Sequence, residues 1–319
     1  MVAVTSVEGW HTVEDETQLY TKTWNPAGEI KARVVFIHGF SDHCNTYGNF
    51  FPYLASRNIQ VLTLDQRGWG RSAQTPSHRG LTGPTSLVLS DISSFLTSLL
   101  SSTTTPLFLM GHSMGGAEIL TYAAEGPASI RAHIRGYLAE SPFIAFAPAM
   151  KPSPVLVFLG RLAGKVLPRR QMKNPIKPEL VSRDEAVCQA YREDELCHDT
   201  GTLEGLAGMI ARARGLEGGE ILVGDKAGEG ERTRLWVGHG TGDLICDYEG
   251  TKRWFDKLGE GIEDKEFKSY EGWYHKLHAE PGEMKEIYAN DVADWILKRS
   301  EEPVSVPVPT TDLEPKAKL

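Results

Sequence analysis

The stretch Pro106–Ala117, PLFLMGHSMGGA, constrains this chain more than any other. Pro106 ends a Ser/Thr run, and Leu107–Met110 is a short continuous apolar run of the kind that forms a strand buried on both faces. Gly111-His112-Ser113-Met114-Gly115 then fits G-x-S-x-G, and Ala117, Ile119, Leu120 and Tyr122 continue with helical spacing. Strand, glycine-flanked serine and helix together form the context of a nucleophile elbow. The turn is tight enough that side chains at the flanking positions would collide, which glycine avoids. Ser113 would then stand at a helix N-terminus, where backbone N–H groups and the helix dipole favour an anion.

Around this stretch, strands and helices alternate. Strands are expected at Leu19–Trp24, Arg33–Ile37, Gln60–Leu64, Arg135–Ala139, Arg234–Val237 and Glu266–Tyr270. Helices are expected at Tyr47–Ser56, Leu87–Leu100, Gly250–Leu258 and Glu283–Lys298. The alternation implies an α/β fold with a mostly parallel sheet flanked by helices. Phe143–Gly215 shows no strand pattern and reads as a largely helical insertion. The expected organisation is a core over residues 1–146, a helical cap or lid over 147–215, a second core part over 216–300, and a disordered tail over 301–319. Gly218–Glu231, rich in Gly, Glu and Asp, reads as an exposed loop.

A net charge of -8 argues against broad nucleic-acid binding. The first residues reach Glu16 without an apolar core, so no signal peptide is expected, and no run has the length of a transmembrane helix. The four cysteines (Cys44, Cys188, Cys197, Cys246) form no metal-ligand pairs, so reduced thiols in a cytoplasmic protein and no metal are expected.

A serine hydroxyl becomes a useful nucleophile when a base takes its proton, and the base is usually a histidine oriented by a carboxylate. In a strand–elbow–helix context the chain order is Ser, acid, His, each after a strand. Ser113, Asp243 and His275 have that order and placement. Asp247 is the rival acid, but the glycine-rich turn after the Arg234–Val237 strand delivers Asp243 first. His278 is the rival base, lying before Pro281 as a surface or packing residue. The oxyanion needs donors held in place, and the backbone N–H groups of Met114 and Phe40 are the candidates. His38 is expected to hold the Phe40 loop. Cys246 lies three residues from Asp243, so a bulky thiol reagent is expected to slow the enzyme through it.

These motifs resemble the monoglyceride lipases of the α/β-hydrolase superfamily, the fungal ones above all. The shared residues are His38-Gly39-Phe40-Ser41-Asp42-His43 with Tyr47, and Asp65-Gln66-Arg67-Gly68-Trp69-Gly70-Arg71-Ser72. Gly111–Gly116, His239–Asp243 and Tyr270–His275 with Leu277 and His278 complete them. The resemblance implies the α/β-hydrolase fold and hydrolysis of monoacylglycerol to fatty acid and glycerol without a cofactor. It also implies Ser113, Asp243 and His275 as the triad and Phe40 and Met114 as the oxyanion positions. Asp42 and Tyr191 fall where the family has residues near the glycerol head group, whereas Thr46 stands where the family often has arginine. The insertion resembles the family's cap. Its stretch Pro154–Leu167 places Val155, Phe158, Leu159, Leu162 and Val166 on one face with Arg161 and Lys165 off it. That face would either pack on the sheet as core or settle on a membrane or lipid droplet. Lysophospholipase or broad carboxylesterase activity on the same triad, and an inactive binding protein of the same fold, are the alternatives. Acyl-chain length, isomer preference and oligomeric state are not legible in the sequence.

Overall fold

The computed structural model describes residues 3–100 and 104–302; the side chains of Pro154 and Arg161 lie outside that description, as does the expected tail from residue 303 onward. The elements in chain order are β1 (Thr5–Thr12), β2 (Gln18–Asn25), β3 (Ala32–Ile37), α1 (Phe50–Ser56), β4 (Ile59–Leu64), α2 (Thr85–Leu99) and β5 (Leu107–His112). They continue with α3 (Met114–Glu125), α4 (Ala128–Arg131), β6 (Ile134–Glu140), α5 (Pro154–Val166), β7 (Gln171–Lys173), α6 (Glu185–Glu193) and β8 (Thr200–Thr202). The chain closes with α7 (Leu203–Gly218), β9 (Arg234–Gly240), α8 (Tyr248–Lys257), β10 (Asp264–Tyr270) and α9 (Met284–Ser300).

The main sheet has the order β1-β2-β4-β3-β5-β6-β9-β10. From β4 to β10 every pair is parallel, and β1 and β2 extend one edge antiparallel. The expected mostly parallel sheet is therefore present. Period-two alternation sends successive side chains to opposite faces, and here both faces are covered. Val35, Ile37, Leu107 and Leu109 pack with residues of α2, α3 and α8 on one face. Val34, Phe36, Phe108 and Met110 pack with α1 and α9 on the other.

Three features depart from the sequence reading. β1 was not anticipated; its side chains are mostly exposed, so the apolar alternation that marks a strand is missing, and its pairing with β2 makes it an edge. The insertion holds a short antiparallel ribbon, Gln171–Lys173 against Thr200–Thr202, too brief to carry a pattern. Residues 218–231 are not simply an exposed loop. Val223 and Ala227 are in the core, and Glu229 is buried against the Arg135 guanidinium, with Nε 2.6 Å away.

Candidate active site

The link between β5 and α3 is the elbow itself. Ser113 has φ 55° and ψ −117°, a left-handed conformation unusual for a residue with a Cβ. Two ladders hold it there. Its N–H donates to the Glu140 carbonyl at 2.9 Å, and its carbonyl accepts from the Phe143 N–H at 2.9 Å and the Ala117 N–H at 3.1 Å. A Cβ on Gly111 would lie 2.4 Å from the Gly115 carbonyl oxygen, and one on Gly115 would lie 2.2 Å from that of Ile37. Any side chain at either position would push β3, β5 and α3 apart.

The loop after β3 closes over the serine. A Cβ on Gly39 would meet that of Ser113 at 3.1 Å. His38 Nε2 accepts from the Gln66 N–H at 2.9 Å, so its Nδ1 carries the proton and donates to the Gly39 carbonyl at 2.8 Å. Burial pushes the pKa of this imidazole down, which keeps that tautomer neutral. Phe40 follows, its ring edge-on to Trp69 with centroids 4.8 Å apart. Met114 is the first residue of α3, where a backbone N–H has no partner within the helix.

Asp243 follows β9, and its carboxylate accepts four hydrogen bonds. Oδ1 takes the Ile245 and Cys246 N–H groups at 2.8 and 3.0 Å. Oδ2 takes His275 Nδ1 at 2.8 Å and His239 Nε2 at 2.9 Å. Burial opposes its ionisation, but His275 and the His239 hydrogen bond prevail and hold the carboxyl well below the usual carboxylate range. The other aspartate, Asp247, points to Arg253 at 3.3 Å. The other histidine, His278, is buried, with Nδ1 2.7 Å from Glu140 Oε1 and its ring against Tyr47. Of the sequence candidates, Asp243 and His275 are thus brought together, and Ser113 and His275 line one small cavity of about 20 Å³.

Asp42 and Tyr191 line that same cavity. Burial works against Asp42's ionisation, yet the Lys276 ammonium beside it lowers its pKa to about 2. Thr46 donates its hydroxyl to Asp42, and Tyr191 donates to Asp199 at 2.9 Å. Lys276 itself escaped the sequence reading. A lysine next to a histidine after a strand reads as a surface residue, and nothing local reveals that the insertion covers it: the Lys276 N–H donates to the Val181 carbonyl at 2.9 Å.

A second cavity of about 470 Å³ opens on Ser113 and Met114. Phe143, Phe146, Leu156, Met172, Leu206 and Ile245 are among the side chains that line it. Three groups of metal-binding side chain types occur among the described residues, around His43, His112 and Asp243. In each, a histidine and a carboxylate already share a short contact, such as His43 Nε2 to Asp194 at 2.8 Å.

Cys246 corrects an expectation. It is fully buried, and burial with the adjacent Asp243 charge pushes its thiol well above the ordinary range, so it is neither accessible nor a thiolate. The folded protein is expected to keep its activity after brief exposure to a bulky maleimide, with all four cysteines labelled only once denatured. Rapid loss of activity in the folded protein, absent in Cys246→Ala, would show that the elbow region opens.

The family model described as serine aminopeptidase, S33, matches residues 28–282. A candidate monoglyceride lipase of Schizosaccharomyces pombe is 36% identical over 285 residues, covering 88% of this chain and 72% of that one. The monoglyceride lipase of Rattus norvegicus is 29% identical over 303 residues, covering 91% of this chain and 90% of that one. Among solved structures, a soluble variant of the Saccharomyces cerevisiae monoglyceride lipase, in complex with a substrate analogue, superposes with a TM-score of 0.82. It covers 92% of this chain and 97% of its own at 23% identity, a likeness of fold.

Proposed function

The chain belongs to the monoglyceride lipase family within the serine aminopeptidase S33 α/β hydrolases, and on that premise we propose that it cleaves monoacylglycerol to fatty acid and glycerol through an acyl-enzyme on Ser113. The observation that carries this reading is that Ser113 lies between two unlike spaces. One is the mainly apolar cavity of about 470 Å³, suited to an acyl chain; the other is a small cavity of mixed lining, where Asp42, Tyr191 and Lys276 bring polar groups to the side of Ser113 on which a hydroxylated leaving group would depart. A peptide substrate, which the family model's description suggests, would need more polar partners than Lys173 and Asn174, the polar side chains that line this mainly apolar cavity besides Ser113.

In this mechanism Ser113 Oγ attacks the ester carbonyl carbon and passes its proton to His275 Nε2, since Nδ1 is held by Asp243. The Phe40 and Met114 N–H groups receive the developing oxyanion. Collapse breaks the C–O bond, and glycerol leaves with the proton from His275. Water then repeats the sequence, releasing the fatty acid and restoring Ser113. The test is a competitive panel of mono-, di- and triacylglycerols and lysophospholipids. Monoacylglycerol is expected to be consumed first; faster loss of a lysophospholipid would move the assignment to the rival lipase activity.

Residues 147–215 serve in this reading as a cap that meets a lipid surface, at a droplet or the endoplasmic reticulum membrane, from the cytoplasmic side. The packing alternative for α5 does not fit the structure. Val155, Phe158, Leu159, Leu162 and Val166 face outward, Phe158 being 67% and Leu162 53% exposed. Basic residues Lys151, Lys165, Arg169, Arg170 and Lys173 lie within or close to this helix in the chain at exposed positions, and no acidic residue falls between Lys151 and Lys177. A local basic band on an acidic protein favours an anionic lipid surface. No helix among the described residues is long and apolar enough to cross a membrane. Replacing Phe158 and Leu162 by serine is expected to weaken vesicle binding by about tenfold or more, because each buried Leu or Phe contributes about 1.5–3 kcal/mol. The melting temperature should hold, since neither side chain is buried. Unchanged co-sedimentation with vesicles would place the collecting surface elsewhere.

A further inference from the structure

Lys276 is only 5% exposed, and an ammonium in such a place is costly unless it is paired. Its Nζ lies 3.3 Å from Asp42 Oδ2 and over the rings of Tyr47 and Tyr191, 5.7 and 5.8 Å from their centroids. Asp42 is its one acidic partner among the described residues. The same lysine lines the small cavity with Ser113, His275 and Tyr191.

A donor and acceptor count separates the roles of the pair. Asp42 Oδ1 accepts from the His43 N–H at 3.0 Å and from the Thr46 hydroxyl. Oδ2 accepts from the Tyr47 hydroxyl at 2.9 Å and forms the ion pair with the Lys276 ammonium 3.3 Å away. An ionised carboxylate has about four lone-pair sites; three of Asp42's accept hydrogen bonds and the ammonium faces the carboxylate as its counter-ion, so Asp42 is committed within the protein. An ammonium has three donors, and Asp42 uses one. The rest are available to whatever enters the cavity beside Ser113.

We infer that Lys276, held in place by Asp42, is the donor that selects a leaving group with free hydroxyls, a glycerol-type diol, and that Asp42 is a positioning residue. This rests on the hydrolase reading above. Because the ammonium is already paired with a carboxylate, a phosphate head group gains no net charge attraction there, while a neutral hydroxyl oxygen gains a charge-assisted hydrogen bond.

The experiment compares kcat/KM for 1-monooleoylglycerol and methyl oleate, two esters of one acyl chain, in the same mixed micelles. Oleoyl lysophosphatidate forms a third arm. Wild-type enzyme should favour the monooleoylglycerol, and Lys276→Met should lower that preference by about tenfold or more, the loss of a charge-assisted hydrogen bond. Since Lys276→Met leaves a buried carboxylate without its cation, Asp42→Asn combined with Lys276→Met provides a version with neither charge, expected to show the same lost preference. A preference unchanged in the folded variants overturns the inference and leaves the hydrolase reading intact. So does a selective loss of lysophosphatidate turnover, which would mean the ammonium reads an anion. A wild-type enzyme that turns over no monooleoylglycerol overturns the hydrolase reading, and this inference with it.

Discussion

Ser113→Ala is expected to lower kcat on monoacylglycerol by about 10⁶-fold, the scale seen when the nucleophile of a serine triad is removed. The structure has no other hydroxyl at the elbow to take over. Ser113 is fixed by hydrogen bonds from its own N–H and to its own carbonyl, none of which involve the side chain. Alanine inherits that backbone, so the melting temperature should stay within a few degrees. His275→Ala should cost nearly as much, because the hydroxyl is a poor nucleophile when nothing accepts its proton. The double variant should be little worse than either single one, since the two groups act as a unit. Steady-state kinetics on the three variants checks this. Losses that multiply would mean that the two side chains contribute separately, and that one of them has another role.

Asp243→Asn should lower kcat by about 10⁴-fold, the effect of a mis-set histidine tautomer in the best-studied triad. The four acceptor bonds explain why the carboxylate has no neutral substitute. Two backbone N–H groups point at Oδ1 and two imidazoles at Oδ2. An amide must turn its NH₂ toward one of these pairs, setting donor against donor. Facing the loop it loosens the Ile245–Cys246 turn; facing the imidazoles it turns His275 to the wrong tautomer. Asp247→Asn should be far milder, because Asp247 is half-buried and its side chain pairs with the Arg253 guanidinium rather than with a histidine. The pH dependence has a definite sign. The folded-state pKa of Asp243 is depressed, so its contribution to stability is present above the unfolded carboxylate pKa and is lost as pH falls toward the folded value. The gap in melting temperature between wild type and Asp243→Asn should therefore be widest near neutral pH and narrow in acid. A gap that widens in acid would show that the carboxyl is not ionised in the fold.

What could be read in the chain follows where a residue's neighbours in sequence are also its causes. The elbow was legible because its strand, glycines and helix are contiguous, and the strands that bury both faces announced themselves as apolar runs. β1 was hidden because its side chains remain in solvent and its strand character comes from pairing with β2. Residues 218–231 misled because polar and glycine-rich composition describes most of the segment, while Val223, Ala227 and Glu229 are buried by β6 and its Arg135. α5 has an apolar stripe that sequence periodicity detects, but periodicity does not say whether the stripe meets protein or lipid. Lys276 shows the same boundary at the site: its burial, its ion pair with Asp42 and its place beside Ser113 all arise from segments far apart in the chain.

The central claim is covalent, and it can be weighed. Enzyme mixed with 1-monooleoylglycerol and quenched in acid during turnover should yield, on proteolysis and mass spectrometry, an oleoyl ester on the peptide that carries Ser113. The adduct should decay as substrate is exhausted, with glycerol released before oleate, and it should be missing in Ser113→Ala. Oleate and glycerol appearing together with Ser113 unmodified throughout, or an oleoyl group found on another side chain, would contradict the account.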